Sequence, residues 1–268
     1  MTLYMIGLGL DNEKDITLKG LEAIKKCSKI FLEYYTSRLN CSIEKLEELY
    51  CKKIIIADRE LVEQQSDKII LPAKNEDVAF LVIGDPMGAT THTDLMLRAK
   101  EENISVSIIN NTSILNAVGT IGLELYKYGK TTSIVFPQPN WDVKTHYEVI
   151  KMNKSLGLHT LCLLDIKMKE SSQENMLKEK KVYEEPKFMS VNQAIQNLLD
   201  IESERKEEVF TKDTICIGCA RIGSDKQTII SGSAKELLAK DFGAPLHCLI
   251  VPGKMHFIEE EAVILWKT

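Results

Sequence analysis

Short apolar runs punctuate the first half of this chain, and between them the apolar residues fall three and four apart. Residues 1–10, 29–33, 53–57, 78–83 and 105–109 read as buried strands. Residues 17–27, 41–50, 62–67, 93–103 and 113–126 read as helices, the first with Leu18, Leu21 and Ile24 on one stripe. Strand alternating with helix predicts parallel pairing in a covered sheet. The second half is less regular. Strands are expected at 132–136, 159–166, 214–220, 227–231 and 247–251, with 214–220 and 227–231 antiparallel through Gly223-Ser224-Asp225. Helices are expected at 191–202, capped by Ser190, and at 233–240. Residues 137–140 read as a loop, and 167–187, charged and poor in large apolar residues, as a surface insertion. A boundary near Gly129 divides the chain into an N-terminal α/β domain, 1–128, and a C-terminal α/β domain, 130–268, that carries the insertion.

Two strand-to-loop junctions stand out. One is Gly7-Leu8-Gly9-Leu10, the other Ile83-Gly84-Asp85-Pro86-Met87-Gly88. Glycine lets the backbone turn sharply and lets a ligand approach it, and the carboxyl ends of strands are where open α/β sheets hold small ligands. Gly7 and Gly9 begin a dinucleotide fingerprint, and Glu33 ends the next strand where a ribose ligand would sit. Asn12 replaces the third glycine, however, and the helix starts only near Thr17. Asp11, Glu13 and Asp15 would repel a pyrophosphate. A ligand without phosphate, and with positive charge, suits this loop better; a glycine turn without any ligand is the plain alternative. Asp85 reads equally as an acceptor for ribose hydroxyls, a partner for a cation, or a cap for the segment after it.

The bulk properties narrow the class. The chain has 268 residues, 44% of them hydrophobic and 27% charged, enough for sizeable cores. A net charge of -5 with scattered Lys and Arg argues against a nucleic-acid surface. The first ten residues lack the basic start and cleavage site of a signal peptide. No apolar stretch approaches the roughly 20 residues that span a bilayer. Seven cysteines without framework spacing fit a reducing cytoplasm.

Cys216-Ile217-Gly218-Cys219 is a C-x-x-C pair, but in a strand these positions face opposite sides and no second pair exists. No metal is expected there. His92, His146, His159, His247 and His256 show no ligand spacing, and no G-x-S-x-G elbow accompanies His92 and Asp94. His247 follows Gly243-Ala244-Pro245, where a backbone-facing site is conceivable.

Taken together, these segments resemble the diphthine synthase family of methyltransferases, which has the tetrapyrrole-methylase fold. The likeness runs through Leu3–Leu10, Asp15–Leu21, Glu33–Ser37, Gly84–His92, Asn116–Gly119, His159–Lys167, Ala220-Arg221 and Pro245–His247. It implies two α/β domains with a cofactor cleft between them and S-adenosylmethionine as the methyl donor. That donor has no phosphate and bears a positive sulfonium, which fits the acidic first loop. The cofactor contacts implied by the resemblance are Leu10, Asp85, Gly88, Ser113, Ile114, Leu164, Ile222 and His247, with Ile222 the least typical of the family. Met87-Gly88-Ala89 and the insertion ending at Tyr183-Glu184-Glu185-Pro186 resemble the eukaryotic branch, whose members add four methyl groups and finish with a methyl ester. The resemblance further implies a modified histidine of elongation factor 2 as substrate, S-adenosylhomocysteine as by-product, and a homodimer.

Methyl transfer from a sulfonium is an in-line displacement in which the cofactor carries the reactive group. The protein aligns the partners and excludes water, so no catalytic side chain is assigned. The proton acceptor for the amine is left open, and the charged insertion is a candidate docking surface for the protein substrate. The rival readings are a tetrapyrrole methyltransferase of the same fold, an NAD-dependent oxidoreductase, and a binding module that has lost turnover.

Overall fold

The computed structural model describes residues 1–89, 92–137, 143–168 and 185–267. Most of the expected loop at 137–140 and most of the expected insertion at 167–187 lie outside these residues. The chain forms two compact units, Met1–Ala117 and Val118–Thr268. Residues 118–128 thus group with the second unit.

The first unit is built on five parallel strands: β1 (Thr2–Gly7), β2 (Lys29–Glu33), β3 (Ile55–Ala57), β4 (Val78–Val82) and β5 (Ser105–Ile109), in the order β3-β2-β4-β1-β5. Every residue of β4 is buried. A parallel strand covered on both faces needs this uninterrupted Val-Ala-Phe-Leu-Val run rather than an alternating pattern. Helices α1 (Leu18–Lys26), α2 (Ile43–Tyr50), α3 (Arg59–Glu63), α4 (Asp67–Ile70) and α5 (Thr93–Glu101) connect the strands, and α6 (Ile114–Ala117) closes the unit. The single helix expected at 62–67 is two short ones, the first capped by Asp58 through Leu61 N–H at 3.1 Å. Thr17 caps α1, accepting Gly20 N–H at 3.0 Å. At the other end, Lys52 Nζ donates to the carbonyls of Ile24 (3.3 Å), Lys25 (2.7 Å) and Cys27, a cation on the negative pole of the helix. Ala23 and Ile24 enter the core, whereas Leu18, placed on the apolar stripe from sequence, is 81% exposed.

The second unit carries β6 (Thr132–Ile134), β7 (Thr160–Leu164), the pair β8 (Ile166–Lys167) and β9 (Lys187–Phe188), then β10 (Ile215–Ala220), β11 (Thr228–Ser233) and β12 (His247–Val251). Its main sheet runs β11-β10-β12-β7-β6, antiparallel except for β6 on β7. The helices are α7 (Thr145–Ser155), α8 (Val191–Arg205), α9 (Ala234–Leu238) and α10 (Phe257–Ile264). Ser190 opens α8 with a capping box shared with Gln193. Glu202 on α8 accepts Tyr147 Oη–H (2.8 Å) and the N–H groups of Glu208, Val209 and Phe210 (2.7, 2.9 and 2.9 Å), which fixes the following loop.

Two departures from the sequence pattern have physical causes. The helix expected at 113–126 breaks: after α6 come 3₁₀ turns at Val118–Ile121 and Leu125–Lys127, separated by Gly122 at φ +97°. Helices α7 and α10 were not expected at all. α7 buries His146 and Asn153 among its apolar residues, while α10 buries Glu259 and exposes Phe257, Ile258 and Ile264, so neither presents a clean apolar stripe.

Candidate functional site

In the first unit, the carboxyl ends of β4, β1 and β5 lie side by side, and the loops leaving them carry Leu10, Asp85, Gly88, Ser113 and Ile114. The first two loops are stitched together: Gly84 N–H donates to Gly9 O at 2.7 Å and Gly9 N–H to Gly84 O at 3.2 Å. Gly9 and Gly84 have φ of +77° and +84°, a region open to glycine. The atoms nearest a Cβ built on Gly84 belong to Thr112, Leu10 and Ser113, at 3.8–3.9 Å. Gly84 therefore has room above it for a side-chain atom, beside Leu10 and Ser113, two of the expected contacts. Ile114 begins α6 beside them.

Asp85 works inside the loops. Its Oδ1 accepts Met87 N–H at 2.8 Å; its Oδ2 accepts Asn111 N–H at 2.9 Å and Asn110 Nδ2 at 3.0 Å. The carboxylate thus caps its own turn and also ties that turn to the end of β5. It keeps lone-pair capacity for a further donor. Gly88 packs on Ser113: an added Cβ would lie 2.7 Å from Ser113 Oγ. The need for glycine here already follows from the protein itself, before any ligand is considered.

The acidic first loop is likewise engaged. Asp15 Oδ2 accepts the N–H groups of Leu10 (3.1 Å) and Asp11 (2.8 Å), and Asp11 Oδ1 accepts Asn40 Nδ2 at 2.9 Å. Glu33 is fully buried and turns back on its own chain, accepting Tyr35 N–H at 2.7 Å, Thr36 N–H at 2.8 Å and Thr36 Oγ1 at 2.5 Å. Burial opposes its charge, but the nearby His92 and the bonds from Thr36 and Tyr35 outweigh this and lower its pKa. It is a turn-builder rather than a ribose ligand. His92 Nε2 sits 3.8 Å from Glu33 Oε2, and its ring meets Phe80 edge-on with centroids 5.0 Å apart.

Asn111 escaped the sequence reading. Its Nδ2 donates to Gly7 O and Asp15 O, both at 3.0 Å, so one side chain joins the ends of β1 and β5 to the first loop. The signal was present in Asn110-Asn111-Thr112-Ser113, a cluster of turn-forming polar residues directly after a strand.

In the second unit, Leu164, Ile222 and His247 meet at one end of the sheet. His247 opens β12 opposite Ala220, the last residue of β10, and the next residue, Cys248, faces Leu163 on β7. Leu164 and Ile222 are buried. Beyond Leu164, Asp165 Oδ2 accepts Phe136 N–H at 2.9 Å, and β8–β9 pairing brings the two ends of the expected insertion together. The side chain of His247 is fully used. Nδ1 accepts Val191 N–H at 3.3 Å, which leaves the proton on Nε2 to donate to Gly243 O (3.2 Å) and Ala244 O (3.1 Å). Burial lowers its pKa and keeps the ring neutral, as those roles require. The hydrogen-bonding atoms of its side chain are therefore all occupied within the protein.

Cys216 and Cys219 are both fully buried; Cys219 lies opposite Cys248, and burial pushes the Cys216 thiol up to about 12. Among the described residues no group of three His, Cys, Asp or Glu side chains is placed to hold a metal, and no helix is long and apolar enough to cross a membrane.

The parallel first sheet and the mixed second sheet are those of a known enzyme class. Residues 2–238 match the tetrapyrrole (corrin/porphyrin) methylases, and the chain belongs to that family. Within it, the similarity is to diphthine methyl ester synthases. The chain is 58% identical to the diphthine methyl ester synthase of Dictyostelium discoideum over 263 residues, covering 97% of this chain and 96% of the relative. It is 50% identical to that of Homo sapiens over 269 residues, 98% and 94% of the two chains. A crystal structure of diphthine synthase superposes with a TM-score of 0.85 at 34% identity, covering 100% of this chain and 96% of the other.

Proposed function

We propose that this chain is a diphthine methyl ester synthase: it methylates the modified histidine of elongation factor 2, with S-adenosylmethionine as donor and S-adenosylhomocysteine as by-product. The observation that carries this reading is the full-length identity of 50–58% to relatives of that name. The open space over Gly84 supports it, because a Cβ built there meets nothing nearer than 3.8 Å, which leaves the backbone approachable. Leu10, Asp85, Gly88, Ser113 and Ile114 in the first unit, and Leu164, Ile222 and His247 in the second, are the proposed cofactor contacts. When bound, the cofactor supplies an electrophilic methyl on a sulfonium. The protein's share is to hold its partners in line and dry. Asp85 fixes the loop that it anchors, Gly84 leaves room, and His247 presents backbone. We place the enzyme in the cytoplasm and read it as a homodimer, both on the resemblance.

The relatives' names specify a methyl ester, so the reaction should end on a carboxylate after the amine has been trimethylated. The test is mass spectrometry of elongation factor 2, carrying the unmethylated modified histidine, after incubation with this protein and S-adenosylmethionine. The expected product carries four added methyl groups, one of which mild alkali removes as an ester. A product stalled at three with cofactor in excess would remove the ester assignment, and no mass gain would remove the substrate.

A further inference from the structure

We infer that Arg221 is a positioning residue, holding in register the two loops that carry Ile222 and His247. The inference rests on the proposed cofactor contacts at those two residues. Arg221 directly follows β10 and adopts φ +52°, a left-handed conformation that a residue with a side chain enters only when its surroundings hold it there. Its own N–H donates to Leu246 O at 2.8 Å. Its guanidinium spreads over three segments. Nε donates to Lys226 O at 2.9 Å, and Nη2 to Thr228 Oγ1 at 2.9 Å. Nη1 donates to Phe242 O at 3.0 Å and to Ala244 O.

These acceptors are three backbone carbonyls and one hydroxyl, so a permanent charge is spent on shaping loops. His247 grips the same stretch through Gly243 O and Ala244 O. Between them the two side chains hold three consecutive carbonyls, 242 to 244. The floor of the grip is fixed as well: the Phe242 ring fills the space over Gly218, where a Cβ would come within 2.4 Å of it. A planar fork with donors on several edges can meet this divergent set of acceptors; a lysine ammonium, a single point donor, cannot. The ladders of β10 with β11 and β12 do not depend on the guanidinium, because their bonds run between backbone groups. Losing Arg221 should therefore free the loops at 222–227 and 242–246 while the sheet persists.

The test is calorimetric titration of the full-length protein with S-adenosylhomocysteine, comparing wild type, Arg221→Ala, Arg221→Lys and Ile222→Trp. Both arginine variants should bind about tenfold or more weakly. Turnover should show KM for S-adenosylmethionine rising more than kcat falls. Free guanidinium ion at non-denaturing concentration should restore binding in Arg221→Ala and leave Arg221→Lys unimproved. A residue needed only for folding would show neither the KM shift nor the rescue. If Arg221→Ala does not fold, Arg221→Lys, which keeps the charge and the stem, carries the comparison. Wild-type affinity in both arginine variants, with Ile222→Trp abolishing binding, overturns the positioning role alone. Wild-type affinity in Ile222→Trp overturns the contact assignment on which it rests.

Discussion

Asp85 joins a structural role in its loop to a proposed one toward the cofactor. Its carboxylate already receives Met87 N–H, Asn111 N–H and Asn110 Nδ2, so the side chain builds the turn that positions it. Removing it should have two effects. Asp85→Ala should weaken S-adenosylhomocysteine binding about ten- to a hundredfold, equivalent to ~1.5–3 kcal/mol for a charged hydrogen bond. It should also lower the thermal midpoint, because three donors lose their acceptor. Titration and a thermal scan of the same preparation separate the two; a lowered midpoint with unchanged affinity would assign Asp85 to the loop alone. Sequence reading identified Asp85 and Gly88 because strand, glycine and carboxylate fall together. It could not show that Gly88 is demanded by Ser113, since that contact joins residues 25 apart that only the β4-β1-β5 order brings together. Asn111 was missed for the same reason: its partners, Gly7 and Asp15, are about a hundred residues away.

Elements were legible where one periodicity governed them. The parallel strand β4 was readable because a continuous apolar run of five residues has few other uses, and β2 and β5 because their β-branched and aromatic residues are bounded by polar ones. β12 was readable because Pro245 and Pro252 bracket it. Helix α8 was readable from its cap: Ser190 Oγ accepts Gln193 N–H at 3.2 Å, and Ser190 N–H donates to Gln193 Oε1 at 2.9 Å. Helices α7 and α10 were not, because buried polar residues replace apolar ones at their core positions. Asn153 on α7 is held by Lys130 and Thr160, and Glu259 on α10 by Lys127, Glu124, His159 and His256. Such partners are set by tertiary structure and leave no trace in local periodicity. The same contrast gives a quantitative expectation. Ser190→Ala should cost about 1 kcal/mol, the worth of a helix cap. Gly218→Ala should cost more, about 1–3 kcal/mol, because its Cβ would press on Phe242 at 2.4 Å and Val191 at 2.8 Å in a closed core. Denaturant midpoints for the two variants check the order; equal costs would mean that Phe242 can move aside.

At the scale of the whole molecule, buried ionisable groups set the pH range of the fold, and in the second unit they separate into two windows. Burial lowers the pKa of His146, His159 and His247 below their ordinary 6.5. Each is held as a neutral ring. His159 Nδ1 accepts Gly253 N–H at 3.0 Å, so Nε2 carries the proton toward Glu259 Oε1, also at 3.0 Å. The unfolded chain therefore binds protons on these histidines more readily than the folded one, and stability rises with pH across the interval. Their contribution is fully present above 6.5 and declines as pH falls through the lowered folded values. Glu259 follows at lower pH. Burial opposes its charge, but Lys127, the N–H groups of Glu124 and His256, and His159 hold it down at about 2. Its contribution is complete above the ordinary 4.5 and is lost as pH falls from there toward 2. Trp266 belongs to the second unit, and its Nε1 donates to Ile121 O at 2.9 Å. Tryptophan fluorescence in denaturant titrations at stepped pH should therefore report a midpoint that begins to fall below pH 6.5, with a second loss below 4.5. His159→Gln should flatten the first limb in part and leave the second in place, because the Glu259 bonds to Lys127, Glu124 and His256 do not require the imidazole. A midpoint independent of pH between 7 and 5 would show that the histidines titrate alike in folded and unfolded chains, and that their burial is relieved by solvent on a faster scale than unfolding.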